Sequence, residues 1–232
     1  MRAILFSWEY PPRIVGKLAE YVSNLATQLM KNHVETYVVT YNDSLTGASE
    51  EANGVKVTRV VNPVNSQVNI ITWDLTLNQE IERAAADFYY QAGKRIDLID
   101  VFDWHFIPAA VMLKNALSIP FIYSVDSLEY HRSPGADTPF NMAIRGIEWL
   151  GFYEATKVTA KSDWMQNEIL RLYKVPTEKI AVISQKPSSR VKDVLKVYNE
   201  VLGGTDKQWR PHSTLWCSAG SSHRELSVAY VS

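Results

Sequence analysis

Three short segments of the sequence combine charged, aromatic and glycine residues that could take part in chemistry. The first lies near the start of the chain, where Gly16 and Lys17 precede a helical pattern. Free backbone N–H groups and the helix dipole at such a position favour an anion, so a phosphate could bind there. A glycine that only lets the chain enter the helix is the alternative, and the glycine alone does not decide between them.

The second segment, Asp103-Trp104-His105, follows a short apolar run that is typical of a buried strand. Asp103 could accept and His105 could donate a hydrogen bond to a sugar hydroxyl, while Trp104 offers an indole face to the apolar side of a sugar. The alternative is that Asp103 caps the following helix and His105 packs beside it. The spacing alone leaves both interpretations open.

The third segment places Asp126, Glu129, His131 and Arg132 within seven residues of one loop. Two carboxylates in one loop could carry out acid–base catalysis, as in a glycosidase. A surface ion pair between Glu129 and Arg132 is the alternative, and these residues by themselves do not distinguish the two.

The elements that must position these segments alternate between strand and helix patterns. The predicted strands cover 2–7, 35–40, 55–60, 98–102, 121–125, 158–160 and 180–183, and the predicted helices cover 17–32, 74–93, 107–117, 140–152, 163–173 and 189–202. A polar stretch fills 42–54, which favours an edge position for the strand at 55–60. This alternation predicts an α/β fold with a Rossmann-like, doubly wound and mostly parallel sheet, whose ligands bind beyond the carboxyl ends of the strands.

Length and composition bound the class of protein. The 232 residues suit one large domain with an appendage, and the hydrophobic fraction of 46% is enough to bury a core. A net charge of −1 provides no field to attract nucleic acid or an anionic membrane. The single cysteine, Cys217, excludes an intramolecular disulfide, and no apolar run reaches the ~18–20 residues of a membrane span. We therefore expect a cytoplasmic protein that binds neither nucleic acid nor membrane.

The carboxyl-terminal part divides into a helix and a tail. Apolar residues at helical spacing predict a helix over 189–202, and Gly203 is a typical residue to end it. The stretch 204–232 has no periodicity, so we expect it to be irregular. Its His212, Cys217 and His223 are too irregularly spaced for a zinc site, and we expect no metal.

Three separated strings carry a resemblance to a known family. Phe6-Ser-Trp-Glu-Tyr-Pro-Pro-Arg-Ile-Val-Gly16, Asp103-Trp-His105 and Ser127-Leu-Glu-Tyr-His-Arg-Ser-Pro134 resemble glycogen/starch synthases, especially those of archaea. The string Lys179-Ile-Ala-Val-Ile183 resembles the strand that closes the amino-terminal half of these enzymes. The likeness spans 1–184, and we assign this range to the amino-terminal Rossmann domain.

The resemblance implies the GT-B architecture, in which two Rossmann-like domains enclose the active site. These enzymes transfer glucose from ADP- or UDP-glucose to an α-1,4-glucan and need no cofactor. It implies that Gly16 and Lys17 lie beside the donor diphosphate. It also implies that the substrate-binding residues, mainly on the acceptor side, are Asp103, Trp104, His105, Glu129, Tyr130 and Arg132.

The chain departs from the family pattern at several positions. Lys17 stands where the family has a second glycine, and Asp126 stands where it has a histidine beside the transferred sugar, so no catalytic residue is assigned. Asp100 and Phe102 also replace family histidines. A carboxylate beside the donor diphosphate repels it unless Lys17 or Arg132 compensates, so we expect weak or altered use of the donor.

The largest departure follows Ile183, where the family continues through an Asn-Gly turn into its donor-binding domain. Here Ser184-Gln-Lys-Pro187 leads into a helix, within 185–203, that resembles the final helix of full-length relatives. We expect this helix to cover a face of the sheet, and the chain to be inactive by itself. A homodimer or a separately encoded donor domain could cover the open cleft. The alternatives are a non-catalytic glucan-binding domain and a nonfunctional gene remnant.

Overall fold

The structure is a computed structural model that describes residues 1–42, 48–64 and 69–208. Its strands are β1 (Arg2–Ser7), β2 (Glu35–Tyr41), β3 (Ser49–Ala52), β4 (Val55–Val60), β5 (Leu98–Phe102), β6 (Phe121–Val125), β7 (Lys157–Ala160) and β8 (Ile180–Val182). Its helices are α1 (Leu18–Lys31), α2 (Ile70–Gln91), α3 (Ile107–Leu117), α4 (Glu129–Arg132), α5 (Pro139–Glu154), α6 (Asp163–Tyr173) and α7 (Pro187–Gln208). A 3₁₀ turn, Thr177–Lys179, precedes β8.

One sheet contains the eight strands, in the order β3-β4-β2-β1-β5-β6-β7-β8. All neighbouring strands run parallel except β3 and β4. The predicted Rossmann-like, mostly parallel α/β fold is confirmed. The strand order reverses at β1, which has β2 on one side and β5 on the other, and ligands bind at such a switch point.

The edge of the sheet differs from the prediction. The strand at 55–60 is not an edge strand, because β3 pairs with it antiparallel and lies outside it. Asn53 and Gly54, with φ angles of 54° and 80°, form the tight connection between the two strands. An Asn-Gly pair is a strong hairpin signal, but β3 is fully exposed and therefore lacks the alternating apolar pattern that marks a strand.

Two apolar cores cover the two faces of the sheet, because alternate residues of each strand point to opposite sides. Ile4 and Phe6 of β1 belong to the core that includes residues of α2, α3, α5 and α6. Ala3 and Leu5 belong to the core that includes residues of α1 and α7. None of the helices in the described part of the chain combines the length and the apolar character that a membrane crossing requires.

Helix α7 covers the sheet, as expected from the sequence, but it does not end at Gly203. Val191, Val194 and Val201 are buried in the core shared with α1, and the helix continues to Gln208. Gly203 and Gly204 each cost only about 1 kcal/mol inside a helix, so a helix that the packed turns before them have already formed can extend through both. The expected irregular tail is thus helical over 204–208, and 209–232 lie outside the described residues.

A buried hydrogen bond also attaches α7 to the sheet. The Tyr198 hydroxyl donates to Asp100 Oδ2 over 2.8 Å, and the Ser124 hydroxyl donates to Asp100 Oδ1 over 2.6 Å. Asp100 is 1% exposed, and burial raises its pKa to about 6 despite these two donors. The carboxylate is therefore stable inside the protein only because both oxygens are hydrogen-bonded.

We expect Tyr198→Phe to lower the free energy of unfolding at pH 8 by about 1–3 kcal/mol, because Asp100 loses one of its donors while remaining buried. The loss should be smaller at pH 5, where Asp100, with its raised pKa, takes up a proton. Urea unfolding at both pH values measures this. Tyr153→Phe is the control, since Tyr153 is 68% exposed; an equal effect of both variants would contradict the role of Tyr198.

Candidate functional site

A cavity of about 510 Å³ opens at the carboxyl edge of the sheet. Residues at the ends of β5, β6 and β7 form its floor, and residues at the start of α1 and of α7 form its walls. Its volume lies within the ~300–1,000 Å³ that is usual for small-molecule sites. The cavity is thus at the place where the parallel topology predicts a ligand.

Charged side chains of both signs line this cavity. Lys17, Lys161 and Arg190 are basic, and Glu20 and Asp126 are acidic. These five groups sum to one positive charge. The lining therefore attracts an anion only weakly, and it offers hydrogen-bond donors and acceptors to neutral hydroxyl groups.

The charge of Asp126 is compensated by Lys161, a residue that was not among the predicted site residues. Lys161 Nζ lies 3.1 Å from Asp126 Oδ1, and both side chains are 44% exposed. Arg132 does not play this part, because it pairs with the carboxylates of Asp103, Glu129 and Glu148 instead. The signal for Lys161 was present, since it follows the end of β7 as Asp126 follows the end of β6.

Arg190 comes from α7 and was also missed. Its guanidinium lies over the ring of Tyr21, 4.5 Å from the centroid, and its Nη2 donates to the Gln185 carbonyl over 2.7 Å. Both Tyr21 and Gln185 line the cavity as well. The segment after 184 therefore supplies part of the cavity wall, which no local pattern in the sequence indicates.

The loop before α1 binds a carboxylate of the protein itself. The backbone N–H groups of Val15 and Gly16 donate to Glu9 Oε2 over 2.5 and 2.6 Å, and Glu9 is 5% exposed. A Cβ at position 16 would lie 3.3 Å from Glu9 Oε1, which is a tight contact. A larger residue at position 16 would thus need a small shift of the Glu9 side chain, whereas the role of Gly16 beside a donor diphosphate, with Lys17, stays a prediction.

Asp103 connects the loops after β5 and β6. Its backbone has a positive φ of 64°, and its Oδ2 accepts from the Ser127 hydroxyl over 3.0 Å. The N-cap of α3 is Phe106, without a side-chain cap, so the interpretation of Asp103 as a helix cap is wrong. Arg132 Nη1 lies 3.4 Å from the same Asp103 oxygen.

Aromatic rings enclose His105. Its ring stacks on Trp8 and on Trp104, with centroids 4.5 and 4.1 Å away. Burial lowers the pKa of His105 to about 3, so the imidazole is neutral near pH 7. Trp104 is 5% exposed, because His105 covers one side and Arg132 lies 6.0 Å from its ring centroid. The open indole face expected for Trp104 is therefore absent from this structure.

Arg132 pairs with carboxylates from three elements. Its Nε lies 2.9 Å from Glu129 Oε2, its Nη2 lies 2.9 Å from Glu148 Oε1, and Asp103 is its third partner. The ion pair with Glu129 is present, but it is not a surface pair, because Glu129 is 2% exposed. Glu148 was missed, since it lies on α5 and is completely buried.

The carboxylates around Arg132 titrate differently. Burial raises the pKa of Glu148 to about 7 and that of Asp103 to about 6, although Arg132 opposes both shifts. Burial also opposes ionisation of Glu129, but hydrogen bonds from Asn141 and Arg132 outweigh it and lower the pKa. Because Asp103, Glu129 and Glu148 do not line the cavity, the cluster orders the loops and has no direct access to a ligand there.

Tyr130 and His131 point toward the helices beside the cluster. Tyr130 is 37% exposed, and the Arg145 guanidinium lies 4.1 Å from its ring centroid. His131 Nε2 lies 2.7 Å from Glu168 Oε2 on α6. Of the predicted site residues, Lys17 lines the cavity, as does Asp126, which was not assigned a catalytic role; the other predicted residues are not among the residues that line it. Within the described ranges, no group of three or more His, Cys, Asp or Glu could hold a metal ion.

The fold and the position of the cavity define a Rossmann-type domain of the GT-B class. A sucrose-phosphate synthase structure from Thermosynechococcus elongatus superposes with a TM-score of 0.65 and 13% identity, covering 87% of this chain and 99% of that one. The model of Glycosyltransferase Family 4 matches residues 18–185. The chain belongs to this family.

Two curated relatives agree with the family. An uncharacterized glycosyltransferase of Methanocaldococcus jannaschii is 33% identical over 185 residues, covering 79% of this chain and 45% of the relative. A glycogen synthase of Mycobacterium tuberculosis is 23% identical over 197 residues, covering 79% of this chain and 47% of the relative. The chain thus spans about half the length of the curated relatives it matches.

We expect Arg132→Met to lower the free energy of unfolding by about 3–5 kcal/mol at pH 8, because three buried carboxylates lose their cation. The loss should be smaller at pH 5. Asp103 and Glu148 have raised pKa values, so their charged forms are penalised in the folded state and both take up protons as the pH falls through about 7 to 6.

Urea unfolding of both proteins at pH 5 and pH 8 measures this difference. Arg83→Met is the matched control, since Arg83 is 67% exposed and pairs with Glu80 on the surface of α2. We expect it to change stability by less than about 1 kcal/mol at either pH. A loss in Arg132→Met that is the same at both pH values would contradict the proposed charge balance.

Proposed function

We propose that this chain is the acceptor-side, amino-terminal domain of a glycosyltransferase that moves glucose from ADP- or UDP-glucose to an α-1,4-glucan. Residues 1–184 form the domain in this proposal, and the helix after 184 completes its cavity. The observation that carries it is the cavity at the carboxyl edge of the sheet, whose lining residues Lys17, Phe102 and Asp126 directly adjoin the three strings that resemble glycogen/starch synthases. The similarity to a glycogen synthase supports the choice of a glucan.

The charges of the cavity support an acceptor role more than a donor role. A nucleotide sugar brings a diphosphate, and its departure in the transition state needs several positive groups close by. Lys161 is already paired with Asp126, and Arg190 rests on Tyr21. We therefore propose that this chain alone turns over no nucleotide sugar, and that another domain provides most of the donor contacts.

The same ion pair favours a second candidate function. By the resemblance, Asp126 stands where glycogen/starch synthases have a histidine. Its carboxylate forms an ion pair with Lys161 at the cavity wall. A cavity with little net charge and with hydroxyl-binding groups suits a non-catalytic glucan-binding domain. Like the first candidate, this one binds an α-glucan. It predicts that no glucose is transferred even when a donor domain is added.

Calorimetric titration of the purified chain with maltoheptaose, ADP-glucose and UDP-glucose tests the proposal. We expect binding of the saccharide, weak or no binding of either nucleotide sugar, and no turnover. Addition of the donor domain of a related synthase should then restore glucose transfer in the first candidate and not in the second. Absence of binding to all three compounds would contradict both and favour a nonfunctional remnant.

We expect Asp126→Asn to strengthen the binding of ADP about two- to fivefold, because Lys161 is released from its pair and the repelling carboxylate is removed. Calorimetry at low ionic strength measures the affinity. Asp137→Asn is the control, since Asp137 is 78% exposed and pairs with Arg145. Unchanged or weaker ADP binding in Asp126→Asn would show that the carboxylate does not oppose the donor.

A further inference from the structure

We propose that Trp164 and His131 form a second saccharide subsite on the rim of the cavity, for the part of an α-glucan that extends beyond it. This inference rests on the proposed function, because it takes the ligand of the cavity to be a glucan. It concerns an indole that the sequence analysis did not select.

Trp164 follows a cavity residue closely in sequence and begins an ordered helix. It is the second residue of α6, and Lys161, three residues earlier, lines the cavity. The Ser162 side chain caps α6 by accepting from the Met165 N–H over 3.2 Å. Because the cap fixes the start of the helix, the indole projects from an ordered first turn rather than from a loose loop.

His131 holds the indole from the opposite loop. The two ring centroids lie 5.0 Å apart, and His131 Nε2 lies 2.7 Å from Glu168 Oε2, one turn further along α6. Arg171 Nη2 contacts the same Glu168 oxygen over 2.7 Å. Trp164 nevertheless remains 57% exposed. The subsite therefore has a supported aromatic ring with free surface.

The chemistry of these groups suits a glucose unit. An indole face packs against the C–H face of a pyranose ring, and the imidazole and carboxylate beside it can hydrogen-bond hydroxyls. A linear glucan longer than the cavity must leave it over the rim. Asp126 and Lys161 line the cavity, and they precede His131 and Trp164 by five and three residues. We therefore place the exit of the glucan over these two segments, past Trp164.

Trp149 provides a contrast within the same protein. It is 53% exposed, which is close to the value for Trp164. Its ring, however, stacks on Tyr153 with an interplanar angle of 8°, and it lies near the end of α5 that leads into β7. Because β7 starts at the amino edge of the sheet, Trp149 lies away from the cavity and serves as the control.

The test compares the affinities of maltotriose and maltoheptaose for the wild-type chain and for Trp164→Ala, by calorimetry. We expect maltoheptaose to bind about three- to tenfold more weakly to the variant, as for the loss of one aromatic contact, and maltotriose to bind as before. Trp149→Ala should bind both sugars like the wild type. Trp164→Phe should recover part of the lost affinity.

The outcomes separate this inference from the proposed function. If the wild type binds maltooligosaccharides and Trp164→Ala binds maltoheptaose equally well, the subsite is wrong and the proposed function stands. An equal loss for both sugars, or an equal loss in Trp149→Ala, also overturns the subsite. If the wild type binds neither sugar, the glucan assignment fails and the subsite fails with it.

Discussion

The parallel pairing of β1, β5, β6 and β7 is the constraint on which the site depends. Parallel strands end at the same edge, so the loops that follow these four strands meet there although they are far apart in sequence. A cavity forms at this edge, and α7 closes one side of it. The strand order, more than any single residue, therefore determines which side chains can reach a ligand.

Buried charge is what keeps these loops in place. Arg132 has partners on the loop after β5, on α4 and on α5, and each partner by itself would be costly to bury. The raised pKa values of Asp103 and Glu148 show that burial opposes their ionisation even with Arg132 present. Stability and loop geometry are thus coupled, because protonation of this cluster alters the attraction that connects the loops.

Much of the fold could be predicted from the sequence. The strands at 98–102 and 121–125 and the helices at 107–117 and 163–173 have the predicted bounds, since short apolar runs and helical periodicity are clear there. The exposed β3 lacks such a pattern. In the site, the positions of Lys17 and Asp126 could be predicted because both lie on loops that follow predicted strands. The ion pairs of Asp126 with Lys161 and of Arg132 with Glu148, however, join residues that are distant in sequence. Such pairs depend on tertiary packing, which local spacing does not encode.

The central claim is that the carboxyl edge of the sheet binds an α-glucan. Backbone NMR of the labelled chain during titration with maltoheptaose tests it most directly. We expect the shifted amides to belong to the loops that line the cavity and to the start of α6, with 126–132 and 161–164 prominent among them. Shifts confined to the amino edge of the sheet, around His33 and Arg95, or no shifts at all, would contradict it.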